Sequence, residues 1–360
     1  MGLLGYSVLT ALLSYGFFIA LKLDVGRVVY NRRPGVCRHV EGPVGGSEAI
    51  EVVPSKNIAF ISNGLKFPTS PESLRGKIFL YDFAQSGANP KAVELPLMDA
   101  PFDQGNFHPH GLSHWIIDGI VRLYVINHDN NERSSIEVFD YDDRKRVLIY
   151  RKTMQNDEAM RSPNDLAAVG PDEVIFGNDR YGPGKGWTAF EFLTGFRGGS
   201  VFYTDGKKYE KLLDGKHFPN GAAYDAKTKT FVMAFLGEET VEAFRFDHSK
   251  KTSKLTLIST TNVHSKCDNV FITGTDVYVG CHPILVQAAK SLSSCGDLKS
   301  HVAGPSQVLR LHYNADFSKA DVSEEYSNGG SELSASSSAV VHNKQMLIGT
   351  VCERLIFCQL

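Results

Sequence analysis

Short apolar runs alternate with turn-forming polar stretches along most of this chain. The runs are Ile58-Ala-Phe-Ile-Ser62, Lys77-Ile-Phe-Leu-Tyr81, Arg122-Leu-Tyr-Val-Ile126, Val147-Leu-Ile-Tyr150, Glu173-Val-Ile-Phe176, Ser200-Val-Phe-Tyr203, Thr230-Phe-Val-Met233, Val241-Glu-Ala-Phe-Arg-Phe246, Asp276-Val-Tyr-Val279, Val308-Leu-Arg-Leu311 and Gln345-Met-Leu-Ile-Gly349. Each is four to six residues long and rich in β-branched and aromatic side chains, which predicts strands rather than helices. A repeat lies beneath them. Polar openings recur at Gly46-Ser-Glu-Ala-Ile50, His108-Pro-His-Gly-Leu112, Ser162-Pro-Asn-Asp-Leu166, Phe218-Pro-Asn-Gly-Ala222, Lys266-Cys-Asp-Asn-Val270 and Ala335-Ser-Ser-Ser-Ala339, about 50 to 70 residues apart. Six units of that size, each about four strands, predict an all-β, six-bladed β-propeller over residues 23–360. An irregular β-sandwich would not require six such openings in order.

The N-terminus follows another pattern. From Leu3 to Leu21 no residue is charged; these 19 positions span roughly 28 Å as a helix, close to a bilayer core. The segment lacks a basic start and an A-x-A cleavage site, so residues 1–22 are expected to be an uncleaved signal-anchor helix rather than a removed signal peptide. Tyr6 occupies the Ser/Thr position of a myristoylation motif and argues against that modification. Lys22, Arg27, Arg32 and Arg33 follow the segment, and the positive-inside rule would put the body in the cytosol. The cysteine and cation arguments favour a lumenal or extracellular body, which would be secreted if the segment were cleaved. There is no N-x-S/T sequon to arbitrate.

Net charge is −2 and charged residues make up 22%, so no basic field exists to attract nucleic acid. Six cysteines are present: Cys37, Cys267, Cys281, Cys295, Cys352 and Cys358. A bridge between Cys37 and Cys358 would tie together the ends of a closed ring, whereas a cytosolic protein would keep all the thiols reduced. Spacing does not assign the connectivity.

In a propeller the innermost strands face the central axis, so residues at equivalent openings should meet there. They are Glu48, His110, Asn164, Asn220, and Asp268 with Asn269. Glu48, Asn164, Asn220, Asp268 and Asn269 offer oxygens with a total charge of −2, the hard neutral-and-anionic set that calcium accepts. No Cys/His cluster stands at zinc spacing. His110 and His128 fall in one blade, where a hairpin would bring them close. That geometry suits a general base as well as a pair of turn histidines.

The residues also carry a resemblance. Asn57-Ile-Ala-Phe-Ile-Ser-Asn-Gly-Leu-Lys-Phe67, Phe107-His-Pro-His-Gly-Leu112, Val125-Ile-Asn-His128, Asn164-Asp-Leu-Ala-Ala-Val-Gly170, Gly177-Asn-Asp179, Asn220-Gly221, Asp268-Asn269, Val279-Gly-Cys-His-Pro283 and Leu347-Ile-Gly-Thr-Val351 resemble, in order, the paraoxonase/arylesterase family. That resemblance implies a six-bladed propeller with two calciums. It makes Glu48, Asn164, Asn220, Asp268 and Asn269 the ligands of the catalytic calcium. It makes His110 and His128 the histidine pair, with Asp179 as the acidic residue beside them. It implies a Cys37–Cys358 disulfide and an unpaired Cys281, and leaves Cys267, Cys295 and Cys352 without a counterpart. The second calcium would use Asp165 and the backbone of Leu112, but Ala49 stands where the family has an acidic ligand, so this site is expected to be weakened. Arg180 follows Asp179 where a histidine is usual, and the substrate wall from Gly182 to Gly199, with Trp187, Phe190, Phe192 and Phe196, diverges.

The activity implied is calcium-dependent hydrolysis of a small carboxylic ester or lactone. The mechanism implied is a substrate carbonyl polarised on the metal and attacked by water that His110, assisted by His128, deprotonates. A non-catalytic alternative is also implied: membrane-anchored paraoxonase-like proteins that serve as endoplasmic-reticulum chaperones or accessory subunits of an ion channel, with a membrane-protein partner.

Overall fold

The computed structural model describes residues 2–67, 70–71, 73–85, 89–182, 185–249, 252–295 and 301–360. Each predicted apolar run lies within a strand. Six sheets stand in a ring, antiparallel apart from the outer pair Leu97–Met98 and Val147–Met154 of the second, with innermost strands Ile50–Val53, Pro109–Ile117, Pro163–Gly170, Pro219–Asp225, Lys266–Thr273 and Ser336–His342. These innermost strands contact one another in sequence around the axis.

The second strand of each blade is packed on both faces, which is why it reads as an unbroken apolar run. Alternate side chains go to opposite neighbours. Ile58 and Phe60 of the first blade pack with Leu123 and Phe139 of the second. Ala59 and Ile61, on the same strand, pack with Val340 and Leu347 of the sixth. In the fourth blade Phe231, Met233 and Phe235 face Ile175 and Tyr203 of the third, while Val232 and Ala234 face Val277 and Val279 of the fifth. The core is therefore a ring of apolar wedges between blades rather than one central cluster.

The sixth blade contains strands from both ends of the chain. Cys37–His39 pairs antiparallel with Ile356–Gln359, with Cys37 opposite Cys358 and the two disulfide-bonded at 2.05 Å. This cross-link spans 321 residues and closes the ring. Removing it with Cys37→Ser/Cys358→Ser should lower unfolding free energy by about 2–5 kcal/mol, read from urea denaturation. A shift under about 1 kcal/mol would mean that blade packing alone closes the ring.

One expectation is corrected. Cys281 is not unpaired: it lies opposite Cys267 on the adjacent strand, and the two form a disulfide with Cα atoms 3.9 Å apart. Cys295 and Cys352 form the third pair. The two-stranded register that follows Lys266-Cys-Asp-Asn-Val270 puts the two thiols side by side, which spacing alone does not specify.

The N-terminal helix α1 (Leu3–Lys22) is apolar and long enough to cross a membrane. Most of its large side chains are exposed, Leu4 by 79%. It rests on helix α2 (Lys185–Thr194), where the Tyr15 hydroxyl donates to the Leu193 carbonyl at 2.9 Å. Beyond it, Asp24 accepts from the Leu285 amide at the start of helix α3 (Leu285–Ser293) and lies 3.6 Å from the buried Lys266 ammonium, which also pairs with Glu239.

Candidate active site

The axial residues stand where the strand ladder fails. Pairing skips from Pro109 to Leu112, from Pro163 to Leu166, from Pro219 to Ala222 and from Cys267 to Val270. Each skip is a bulge that leaves two residues outside the regular pairing and re-aims them. They are His110 and Gly111, Asn164 and Asp165, Asn220 and Gly221, and Asp268 and Asn269. The glycines make room for the next blade. A Cβ on Gly111 would lie 2.3 Å from Asp165 Oδ1, and one on Gly221 would lie 2.4 Å from Asn269 Cα.

Glu48, Asn164, Asn220, Asp268 and Asn269 are all buried, none more than 8% exposed. Their hydrogen bonds are used to hold position. The Asn269 amide donates to Glu48 Oε1 at 2.7 Å and to the Glu48 carbonyl at 2.9 Å, and the Ser337 hydroxyl donates to that carbonyl at 2.7 Å. His282 Nε2 lies 3.1 Å from Asp268 Oδ2. What remains is one oxygen from each of the five residues: Glu48 Oε2, Asn164 Oδ1, Asn220 Oδ1, Asp268 Oδ1 and Asn269 Oδ1. None of these has a hydrogen-bond partner among the described residues. Five buried acceptors without a donor are unfavourable, and a cation held among them would relieve that cost. Burial first, and then the Glu48 charge, pushes the Asp268 carboxyl up. Among the described residues no three His, Cys, Asp or Glu side chains gather as a metal cluster. The oxygens here come from two carboxylates and three amides, a donor set for a hard ion and not for zinc.

His110 Nδ1 and His128 Nε2 are 3.0 Å apart, and His128 Nδ1 is 3.0 Å from the Ser134 hydroxyl. Burial holds His128 well below the usual imidazole range, with the neighbouring His110, Arg180 and His108 adding to that effect, so it is neutral. Burial also lowers His110, but Glu48, Asp268 and Asp179 together outweigh it and the net shift is upward. His110 Nε2 stands 3.6 Å from Glu48 Oε1, beyond hydrogen-bond reach.

Asp179 lies near enough to His110 for its charge to act on that imidazole. Its carboxylate is gripped by Arg180 Nη1 at 2.7 and 3.0 Å, and its described side-chain bonds go to that guanidinium rather than to either histidine. Asp165 and Leu112 line a cavity of about 420 Å³ along the axis with Ala49 and Asn269. Asp165 Oδ2 accepts from the Ala222 amide at 2.8 Å while Oδ1 is unpartnered, and Ala49 offers no side-chain oxygen.

Several supporting residues escape a sequence reading. His282 is flagged only by following Cys281 in Val279-Gly-Cys-His-Pro283, and Ser337 only by its phase in the serine-rich sixth opening. Ser134 carries no signal. The divergent wall proves to contain α2. Trp187 lies 4.9 Å from Tyr181 and 5.8 Å from Phe190, and buried Glu191 accepts from the Tyr181 amide at 2.6 Å, stapling the wall to the rim beside Arg180.

An arylesterase family model matches residues 30–360. The chain belongs to the arylesterase family. Human serum paraoxonase/lactonase 3 is 30% identical over 348 residues, covering 94% of this chain and 93% of that protein. Human serum paraoxonase/arylesterase 1 is 30% identical over 332 residues, covering 90% and 88%. Chicken (Gallus gallus) serum paraoxonase/arylesterase 2 is 31% identical over 337 residues, covering 90% and 88%. Solved propellers share the fold at lower identity. A luciferin-regenerating enzyme aligns with TM-score 0.53 and 11% identity over 90% of this chain and 94% of its own. Regucalcin from Agrobacterium tumefaciens aligns with TM-score 0.51 and 12% identity over 92% and 93%.

Proposed function

We propose that this arylesterase-family chain hydrolyses small carboxylic esters or lactones with a calcium held by Glu48, Asn164, Asn220, Asp268 and Asn269. The observation that carries the reading is the set of five unpartnered buried oxygens beside a hydrogen-bonded histidine pair. The human relatives, a serum paraoxonase/lactonase and a serum paraoxonase/arylesterase, support it. Calcium at that position would polarise a carbonyl oxygen and offset the charge that develops on it.

The protein groups supply proton handling. With Ser134 accepting from His128 Nδ1, the lone pair of His128 sits on Nε2 and accepts from His110 Nδ1. The lone pair of His110 is then on Nε2, the nitrogen turned toward Glu48 and left free to take a proton from water. Each proton in this relay has one donor and one acceptor. Asp179, paired with Arg180, adds negative charge near His110 rather than a direct bond to the pair. The aromatic wall of α2 would shield the apolar part of the substrate from water. Asp165, Leu112 and Ala49 supply too few oxygens for a second calcium, so a metal analysis of the purified protein should return one calcium per chain, not two.

The apolar helix and the Cys37–Cys358 clasp support a propeller that lies on the lumenal or extracellular side of a membrane. Protease added to intact microsomes should leave the propeller undigested until detergent is present. Digestion without detergent would place the body in the cytosol.

A further inference from the structure

The bulges that free the axial residues begin at equivalent positions in four blades, but they are not anchored alike. In the second, third and fourth blades the last paired residue before the break is a proline. Pro109 stands opposite Asn127, Pro163 opposite Asn178 and Pro219 opposite Phe235. Proline fixes its own φ and restricts the residue before it, so the backbone enters each break already stiff. In the fifth blade the same position is Cys267, opposite Cys281, and the two are joined by a disulfide.

The residues that follow this cross-link are the ones that matter. Cys267 precedes Asp268 and Asn269, which lie in the break. Cys281 precedes His282, whose Nε2 is 3.1 Å from Asp268 Oδ2. The disulfide therefore ties together the two backbone positions from which a site carboxylate and its hydrogen-bond partner project. Both cysteines are buried, at 1% and 0% exposure, within the wedge between the fourth and fifth blades. The Ser336 hydroxyl donates to the Cys281 carbonyl at 3.1 Å, so the sixth blade grips the same strand. The cross-link spans only 14 residues, against 321 for the ring clasp, and so constrains the unfolded chain less. Its location suits a local task.

We infer that the Cys267–Cys281 disulfide is a positioning pin that does in the fifth blade what a proline does in three others. It fixes the start of the bulge, so that Asp268, Asn269 and His282 are held in register before any ion arrives. The consequence for cation affinity rests on the calcium reading above; the pin itself is a statement about the backbone and is tested without metal.

The test uses the full-length protein in detergent micelles. Cys267→Val/Cys281→Val and Cys267→Ala/Cys281→Ala are read in parallel, so that a packing fault of either side chain is not mistaken for loss of the pin. In calcium-free buffer, amides of residues 266–272 should exchange with deuterium at least about tenfold faster than in the parent, while residues 163–170 and 219–225 keep parental rates. Calorimetric titration should show calcium affinity weakened at least about tenfold, as for loss of other groups that orient ligands. Cys267→Pro in the Cys281→Val background should bring both measurements back to within about threefold of the parent. Cys37→Val/Cys358→Val, which removes the distant clasp, should change neither. Parental exchange at 266–272 in the cysteine-pair variants overturns the pin. A proline variant that fails to fold, or folds and stays loose, overturns the equivalence with the other blades. A parent that binds no calcium overturns the cation reading instead, and the exchange rates still decide the pin.

Discussion

His110→Gln should lower ester and lactone hydrolysis at least about 100-fold while folding and calcium content remain at parental levels. Glutamine keeps the size and polarity of the side chain and can still hydrogen-bond His128, but it cannot accept a proton near neutral pH. His110 contributes none of the five unpartnered oxygens, so the ion should stay. The comparison is a steady-state assay with phenyl acetate and an aliphatic lactone, alongside metal analysis of the same samples. The variant also separates the two functional classes. A chaperone or channel subunit would not need a base, and partner levels and surface delivery would survive the change. A variant as active as its parent would remove His110 from the mechanism while leaving the metal site untouched.

Asp268→Ala should have the broader effect. It deletes one of the two carboxylates of the axial set and takes away the bond partner of His282, whose Nδ1 is already without one. A buried imidazole with neither nitrogen satisfied is unfavourable on its own. Calcium affinity should fall at least about 100-fold, and at calcium about 100 times the parental dissociation constant the variant should lose at least about 2.3 of the ~2.7 kcal/mol of ligand-linked stability. Thermal melts with and without calcium measure this: the parent should melt higher with the ion and the variant should not. Asn314→Ala, on an exposed turn, should respond to calcium as the parent does. An Asp268→Ala protein with parental calcium content would place the ion elsewhere.

Much of the architecture is legible because propeller geometry writes itself into the sequence twice. Strands such as Ile58–Asn63 and Thr230–Phe235 are buried at every position and appear as continuous apolar runs. The outer strands do not. Ala320–Asn328 is largely exposed through Glu325 and reads as polar, so its existence follows from sheet completion rather than from its own residues. Helix α2 is hidden for a related reason. Trp187 and Phe190 lie on an exposed wall, and no buried stripe marks them as helical.

The axial oxygens are legible for a different reason. The openings recur in phase, so residues far apart in sequence are equivalent by symmetry, and Glu48 and Asn269 meet across 221 positions. What symmetry does not give is the pairing of side chains within a blade. Nothing in the spacing says that Asp179 turns to Arg180 rather than to the histidines, or that Cys281 meets Cys267. Both depend on which face of a bulged hairpin each residue takes, and a bulge changes that face by one residue.

Hydrolysis by this chain is proposed to require a calcium held by the axial oxygens. The most direct test is the turnover of phenyl acetate and a lactone by the purified full-length protein, before chelation, after removal of calcium with a chelator, and after calcium is restored. Hydrolysis should disappear with the ion and return with it. Absence of turnover at saturating calcium, or undiminished turnover by protein shown to be free of calcium, would contradict the proposal.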